Sequence, residues 1–265
     1  MTGLAPLLKQ YMLNPPILLP DDTATKARSI VRETRSRVLP VVSDEKTMHY
    51  MGLLRRRSLL LLSSTRSNLL VRDLMEEAKV ELNPESGLAE AARLMLEADE
   101  PYAPVVGQGG RLVGVAGYEA VVKYLLDSDA DVLYKPVDEC MTSSGIVYVT
   151  QETPVYKAWQ LMLSHNLPAL PVVEDGEIIG VIAEYDLLAH GYARPELEAG
   201  ARKGPRVRDA MSTPAVTLPP GSRILDAAEI IVDRGIGRVY IASGDRRLIG
   251  VVDRSDIVAA WLGFK

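Results

Sequence analysis

Apolar residues in this chain alternate between a helical period and a strand-like period. In the stretch VYKAWQLML, which begins at Val155, they recur at the i, i+3, i+4, i+7, i+8 spacing of a helix with one buried face. Two β-rich runs follow in LPVVEDGEIIGVIA, joined by turn residues typical of a hairpin. The run VYV precedes the helix, and YDLLAHGY forms a second helical stretch. This order predicts a β-α-β-β-α unit.

The same pattern occurs four times, each copy marked by a Met and a later Gly. The intervals are 40 residues for Met12 to Gly52, and 39 residues for Met75 to Gly114, Met141 to Gly180 and Met211 to Gly250. We therefore predict an α+β fold of four units, at 1–64, 69–128, 135–192 and 205–265. One such unit buries little surface, so we expect units to pair into an N-terminal module (1–128) and a C-terminal module (129–265).

Composition narrows the class of protein. The chain is 47% hydrophobic and 25% charged with a net charge of −5, which argues against disorder and against bulk binding to nucleic acid or acidic membranes.

The segments 64–68, 127–136 and 193–206 separate the units, and none is typical of a long tether, so we expect the modules to pack. The single cysteine, Cys140, excludes an intramolecular disulfide and is expected to be a buried apolar residue. Because the start lacks signal-peptide features and the apolar run Leu59–Leu62 is short, we expect a cytoplasmic protein without a membrane span.

One phrase divides the copies into two kinds. GVIAEYD ends at Asp186 and GVVDRSD at Asp256, whereas GLLRRRS ends at Ser58 and GVAGYEA at Ala120. The Gly and the β-rich residues persist in all four, which indicates a structural role. The terminal Asp persists only in the C-terminal half.

In these features the chain resembles the cystathionine-β-synthase (CBS) domain, most clearly in VRDAMSTPAVTLPPGSRILDAAEIIVDRGIGRVYIASGDRRLIGVVDRSDIV and LPALPVVEDGEIIGVIAEYDLL. The resemblance implies two CBS pairs, known as Bateman modules. It also implies binding of AMP, ADP, ATP, S-adenosylmethionine or a related adenosine ligand in the cleft between units. In the family pattern the terminal Asp accepts hydrogen bonds from the ribose hydroxyls, adenine lies against the first strand, and basic residues at the start of the second strand meet the phosphates.

Carried over by position, the resemblance points to the C-terminal module. Asp186 and Asp256 are the ribose candidates, Arg238 is the phosphate candidate, and Arg234 is a second basic candidate. Asp253 stands where Ser or Thr is expected, disfavours nearby phosphates, and favours a less anionic ligand such as a sulfonium nucleoside. Pro168 is the expected unit-three counterpart of Arg238, so the two clefts are unequal. The adenine side is expected to involve Thr142, Ile146 and Val147 in unit three, and Ser212, Val216 and Thr217 in unit four.

We therefore expect a regulatory protein, not an enzyme, that senses an adenosine ligand and relays its binding to an unknown partner protein. No cofactor is implied, and His49, His165 and His190 are not spaced as metal ligands. The family tendency implies a homodimer. The disc formed by two modules could arise within one chain or between chains.

Other interpretations of these residues stay open at this stage. Asp186 and Asp256 could serve only as helix N-caps. The chain could be an interaction scaffold with vestigial clefts. Arg55–Arg57 favours a solvated face, and nucleic-acid binding through that block and residues 201–208 is the further alternative.

Overall fold

A computed structural model describes residues 6–60, 69–192 and 204–264 of the chain. The helices are α1 (Ala24–Thr34), α2 (Arg56–Leu60), α3 (Leu88–Glu97), α4 (Tyr118–Asp127), α5 (Val155–Ser164), α6 (Glu184–His190), α7 (Ile224–Asp233) and α8 (Arg254–Leu262). The strands are β1 (Val38–Val42), β2 (Tyr50–Arg55), β3 (Tyr102–Val106), β4 (Leu112–Gly117), β5 (Ala169–Glu174), β6 (Glu177–Ala183), β7 (Thr217–Leu218), β8 (Arg238–Ala242) and β9 (Leu248–Asp253). The predicted separator 64–68 and residues 193–203 lie outside the described residues. Within the described ranges, no helix is long and apolar enough to cross a membrane.

Each unit is built around one antiparallel hairpin, as the sequence predicts. The pairs are β1–β2, β3–β4, β5–β6 and β8–β9. Each pair has a register shift near the end of its first strand. The shift falls before the last residue of β1, β3 and β8, and before the last two residues of β5. The predicted first strand is short. It is β7 in unit four, parallel to β8, and a single parallel bridge in the other units, such as Val149 with Val172. The α+β prediction is confirmed.

The repeated Met and Gly explain how the units pair. Gly180 of unit three lies against Met211 of unit four, and Gly250 of unit four lies against Met141 of unit three. The segment that opens each unit therefore crosses to its partner, where Thr142 forms an antiparallel bridge with Val251. Units one and two make the equivalent contacts, with Met75 against Gly52 and Met12 against Gly114. The Met and the Gly that mark each unit in the sequence therefore contact the Gly and the Met of the unit with which it pairs.

Gly180→Ala is expected to destabilise the protein because this contact leaves no room for a side chain. A Cβ at position 180 would lie 2.8 Å from the Ser212 carbonyl oxygen and 3.2 Å from the Met211 sulfur. We expect a loss of about 1–3 kcal/mol in the free energy of unfolding, the usual cost of overpacking. Urea unfolding measures it. Gly244→Ala is the matched control, since a Cβ there has no neighbour within 4 Å. Equal effects of the two substitutions would contradict the proposed close contact.

The four units form a closed ring within one chain. Units one and two meet through their sheets, around Leu53 and Val115, and so do units three and four, around Ile178 and Tyr240. The helices make the other two contacts: units one and three share one apolar core, and units two and four share another. The disc that the sequence left open is thus built inside the chain, with each helical core extending across the boundary between modules.

Candidate ligand-binding site

Two acidic residues begin helix α8 in unit four. The Asp253 carboxylate caps the helix, accepting from the backbone N–H groups of Ser255 at 2.8 Å and Asp256 at 3.2 Å. Oδ2 of Asp256 accepts in return from the Asp253 N–H at 2.8 Å. Asp253 therefore stands at a Ser/Thr position because that position is an N-cap, which Asp fills equally well. Among the described residues, Oδ1 of Asp256 accepts no hydrogen bond.

Arg238 faces Asp253 across the hairpin. It is the first residue of β8, and the strand register places it opposite Asp253 at the end of β9. Its guanidinium lies 3.7 Å from the Asp253 carboxylate and donates to the Ala169 carbonyl oxygen at 3.1 Å. The phosphate candidate of unit four is thus partly neutralised by the neighbouring acid.

The expected counterpart of Arg238 in unit three was wrong by one residue. Ala169 pairs with Ala183 at the same register position that Arg238 and Asp253 occupy in unit four. The hairpin turn of unit four is one residue longer than that of unit three. Counting back from the repeated Gly therefore gives Pro168 as the counterpart of Arg238, whereas the strand register gives Ala169. Unit three therefore has two alanines where unit four has a base and an acid, so the inequality of the clefts is larger than the sequence indicated.

Asp186 occupies in unit three the place of Asp256 in unit four. Its Oδ2 accepts from the Ala183 N–H at 2.8 Å, and the nearby Ser212 side chain lowers the pKa of the same carboxyl. Ser212 comes from unit four and bridges Val181 of β6. Thr142 makes the reciprocal crossing and bridges Val251 of β9. The structure therefore reverses the predicted assignment of the two hydroxyl residues. Ser212 pairs with the strand that leads to Asp186 in unit three, and Thr142 pairs with the strand that leads to Asp256 in unit four.

The other predicted adenine and phosphate residues lie in their own units. Val147 and Val216 are half-buried and pack against the two helical cores, Ile146 is half-buried, and Thr217 is exposed on β7. Arg234 is exposed at the end of α7. No hydrogen bond or ion pair joins it to Asp256 within the described ranges, so the structure does not bring this second basic candidate to the site.

Burial raises the pKa of both candidate carboxyls. For Asp256, burial and the Asp253 carboxylate raise the pKa to about 7, against the opposing effects of the Asp253 N–H and of Arg238. For Asp186, burial raises the pKa, whereas the Ala183 N–H and the charges of His190 and Arg56 lower it. Burial likewise raises the pKa of the half-buried Cys140 thiol to about 12, so it is not a nucleophilic thiolate.

The stability of the unliganded protein is expected to fall as the pH rises from about 4 to about 7. An unfolded Asp ionises near pH 3.8, whereas folded Asp256 keeps its proton to about pH 7. Between these values the folded state binds the proton more tightly, so raising the pH favours unfolding, and above pH 7 the loss is complete. Asp256→Asn has no titrating group there. Its stability measured in urea, minus that of the wild type, should grow from pH 4 to pH 7. A pH-independent difference would contradict the raised pKa.

The family model of the CBS domain matches the chain at residues 8–64, 71–127, 137–192 and 207–263. The chain belongs to the CBS domain family. The four matches follow the four units of the ring, and units one with two and three with four are its Bateman modules.

Three known proteins are similar to nearly the whole chain. The uncharacterized protein MJ1404 of Methanocaldococcus jannaschii is 27% identical over 94% of this chain, which spans 62% of that protein's length. The crystal structure of MJ1225, from the same organism, covers 96% of this chain and 99% of its own, with a TM-score of 0.83 and 21% identity. A structure from Pyrococcus horikoshii covers 97% of this chain and 100% of its own, with a TM-score of 0.67 and 21% identity. These likenesses establish the fold.

Polar side chains of units one and two fill the CBS cleft of unit one. Arg55 and Ser58 stand at the positions of Asp253 and Asp256. The Arg55 guanidinium pairs with Glu100 at 2.7 Å and with Glu76 at 3.2 Å, and Ser58 Oγ donates to Glu76 at 2.8 Å. Glu100 is only 1% exposed. Because these groups satisfy one another, the cleft has no free carboxylate to offer a ribose.

Polar groups of the unit-two CBS cleft pair with a residue from the opposite module. Arg254 of unit four is buried there and donates to the Tyr102 hydroxyl at 2.8 Å and to the Glu119 carboxylate at 2.5 Å. A Cβ on Gly117 would lie 2.8 Å from both Glu119 and Leu13. A larger residue at position 117 would therefore require the Glu119 and Leu13 side chains to shift.

An open cleft of about 700 Å³ lies beside Ala120, not beside Asp186 or Asp256. Its walls are residues 10–13, helix α4, Arg37 and the end of α7. Ala120 stands where the ribose-binding Asp is expected and offers no acceptor. The carboxylates in its walls are already paired, Glu119 with Arg254 and Arg37, and Asp127 with Lys123. Since a nucleoside is held in place by a few precisely placed polar groups, this volume is a weaker candidate than a cleft with an acceptor at the ribose position.

The interpretation of Arg55–Arg57 as a solvated face was wrong. All three residues are half-buried. Arg56 donates to backbone carbonyl groups, and Arg57 Nε lies 3.7 Å from the Glu184 carboxylate of unit three. Of residues 201–208, Arg208 pairs with Glu152, and 201–203 lie outside the described residues. The sequence contained a signal for this ion pair, because the repeated phrase is basic in unit one (GLLRRRS) and acidic in unit three (GVIAEYD), and these two units pack together.

Proposed function

We propose that this CBS protein is a regulatory sensor that binds adenosine-type ligands in the two clefts of its C-terminal module. The observation that supports the proposal is the placement of Asp186 and Asp256. Each lies at the start of a helix, its Oδ2 bound to the backbone N–H three residues earlier. That hydrogen bond orients the carboxylate and leaves acceptor capacity for a vicinal diol, which charge-assisted hydrogen bonds suit.

Ligand binding would be transmitted to the N-terminal module by residues inside the phrases GVIAEYD and GVVDRSD. Two residues before Asp186, Glu184 meets Arg57 of unit one, and two residues before Asp256, Arg254 meets Glu119 of unit two. A ligand that favours one arrangement of the units would shift these contacts, and a partner protein would respond to the change. The proposed role is non-enzymatic and cytoplasmic, and the homodimer stays a prediction that the disc does not require.

Isothermal titration calorimetry with AMP, ADP, ATP and S-adenosylmethionine tests the proposal on the full chain. We expect binding at sub-millimolar concentration of at least one of them. Asp253 disfavours a phosphate in unit four, so a ligand with fewer negative charges should prefer that cleft and a nucleotide the cleft of unit three. No heat from any of the four compounds would refute the proposal.

A second candidate function is an interaction scaffold. It is favoured by the N-terminal module, where Arg55 of unit one and Arg254 of unit four pair with acidic residues of the clefts and Ala120 stands in place of the ribose Asp. In that role no adenosine ligand would bind, and the surface of the ring would hold partner proteins instead.

A further inference from the structure

Charged side chains from all four units meet where the units join. In order along this row they are Arg37, Glu119, Arg254, Asp253, Arg238, Glu184 and Arg57. Each neighbours the next by a direct ion pair or by its electrostatic influence, and the signs alternate along the row. The row is not sealed from solvent, since these side chains are 10–31% exposed. We call these seven residues the junction ring, because they lie where the four units of the ring join.

Arg56 adds a positive charge that the junction ring does not balance. Its guanidinium donates to the backbone carbonyl groups of Arg35 and Ser36, and it stacks over the Tyr185 ring at 5.3 Å. Its Nε is buried without a hydrogen-bond partner, and no carboxylate in the described part of the chain forms an ion pair with it. Burial and the nearby charge of Arg37 lower the pKa of Arg56 to about 10. A buried cation held only by neutral groups is unfavourable until an anion joins it.

Arg56 faces the cleft that lacks a base of its own. Unit three has Ala169 and Ala183 where unit four has Arg238 and Asp253. Arg56 of unit one nevertheless reaches unit three, because its guanidinium lies 5.3 Å from the ring centroid of Tyr185, the residue before Asp186. From there its positive charge lowers the pKa of both Asp186 and Glu184. An anionic group carried by a ligand at Asp186 would meet this guanidinium at the junction.

We propose that the N-terminal module supplies the anion site of the unit-three cleft, with Arg56 binding the phosphate groups of a nucleotide whose ribose lies at Asp186. This inference rests on the proposed function. Guanidinium is suited to the role because it binds phosphate oxygens in a two-pronged, charge-assisted geometry that lysine cannot reproduce. The N-terminal module is then part of the binding site, even though its own repeated phrases lack the ribose Asp.

Calorimetry with adenosine, ATP and inorganic pyrophosphate on the full chain tests the site. We expect Arg56→Met to weaken ATP binding on the order of 30-fold, to abolish pyrophosphate binding, and to leave adenosine binding unchanged. Arg56→Lys keeps the charge and should give an intermediate loss; it serves as the test if the Met variant does not fold. Arg35→Met is the matched control, because Arg35 stacks over the same Tyr185 ring at 5.0 Å but is exposed.

Equal binding of ATP and pyrophosphate by the wild type and both Arg56 variants would overturn the inference while leaving adenosine binding at Asp186 intact. The opposite failure is distinguishable. If adenosine and ATP do not bind and pyrophosphate binds only when Arg56 is present, the anion site stands and the adenosine proposal falls. An absence of binding by all three compounds would overturn both.

Discussion

Asp256→Ala is expected to weaken adenosine-ligand binding in unit four on the order of 100-fold, because two charge-assisted hydrogen bonds to the ribose hydroxyls are lost. Asp186→Ala should do the same in unit three. Calorimetry at pH 8, where the Asp256 carboxyl with its pKa of about 7 is ionised, measures both. With a ligand that occupies both clefts, each single variant should lose one binding site and the double variant should lose both.

The control for these variants is Asp226→Ala. Oδ2 of Asp226 accepts from the Arg223 N–H at 2.8 Å, the same capping geometry as in Asp186 and Asp256, but at the start of α7. Its removal measures the cost of losing such a cap, about 1 kcal/mol of stability, without touching a candidate ribose site. If all three variants lose similar stability and ligand binding is unaffected, the carboxylates are helix caps and nothing more.

Arg254→Met is expected to lower the free energy of unfolding on the order of 3 kcal/mol, the usual cost of breaking one side of a buried ion pair. Glu119 would lose its 2.5 Å partner, and the buried Tyr102 hydroxyl would lose its donor at 2.8 Å. Thermal unfolding should show a midpoint lower by roughly 10 °C. Glu119 is 24% exposed and keeps Arg37 at 3.7 Å, which limits the loss.

The double variant Arg254→Met, Glu119→Gln separates charge from packing. Removing both charges should restore part of the lost stability, since the uncompensated carboxylate is gone. Lys123→Met is the comparison on the same helix, because the pair of Lys123 with Asp127 is exposed and should contribute under about 1 kcal/mol. A double variant no more stable than the single one would mean that the Arg254 side chain acts through packing alone.

The repeated units could be predicted from the sequence because the hairpin, the Gly and the helical face recur within each unit. The exchange of Thr142 and Ser212 could not. Each opening segment pairs with the strand of another unit, and spacing along the chain does not reveal which unit supplies that strand. The counterpart of Arg238 failed for a related reason, since one extra residue in a hairpin turn changes the alignment while the strand register is kept.

The arginine block shows a different limit. Arg55, Arg56 and Arg57 are adjacent in the chain and were expected to share one environment. They end β2 and begin α2, so their side chains diverge: Arg55 to Glu76 and Glu100, and Arg57 to Glu184 of another module. A run of like charges is therefore informative only when the element boundary inside it is known.

The crossing of the opening segments also restricts how such a chain can change its length during evolution. Because Met141 packs on Gly250 while Met211 packs on Gly180, each unit completes the other. A gene that lost unit four alone would leave unit three with an uncovered strand, and a gene that gained one unit would add a segment with nothing to cross to. Duplication and deletion in this lineage should therefore proceed by whole pairs, which makes the pair, not the single repeat, the inherited module.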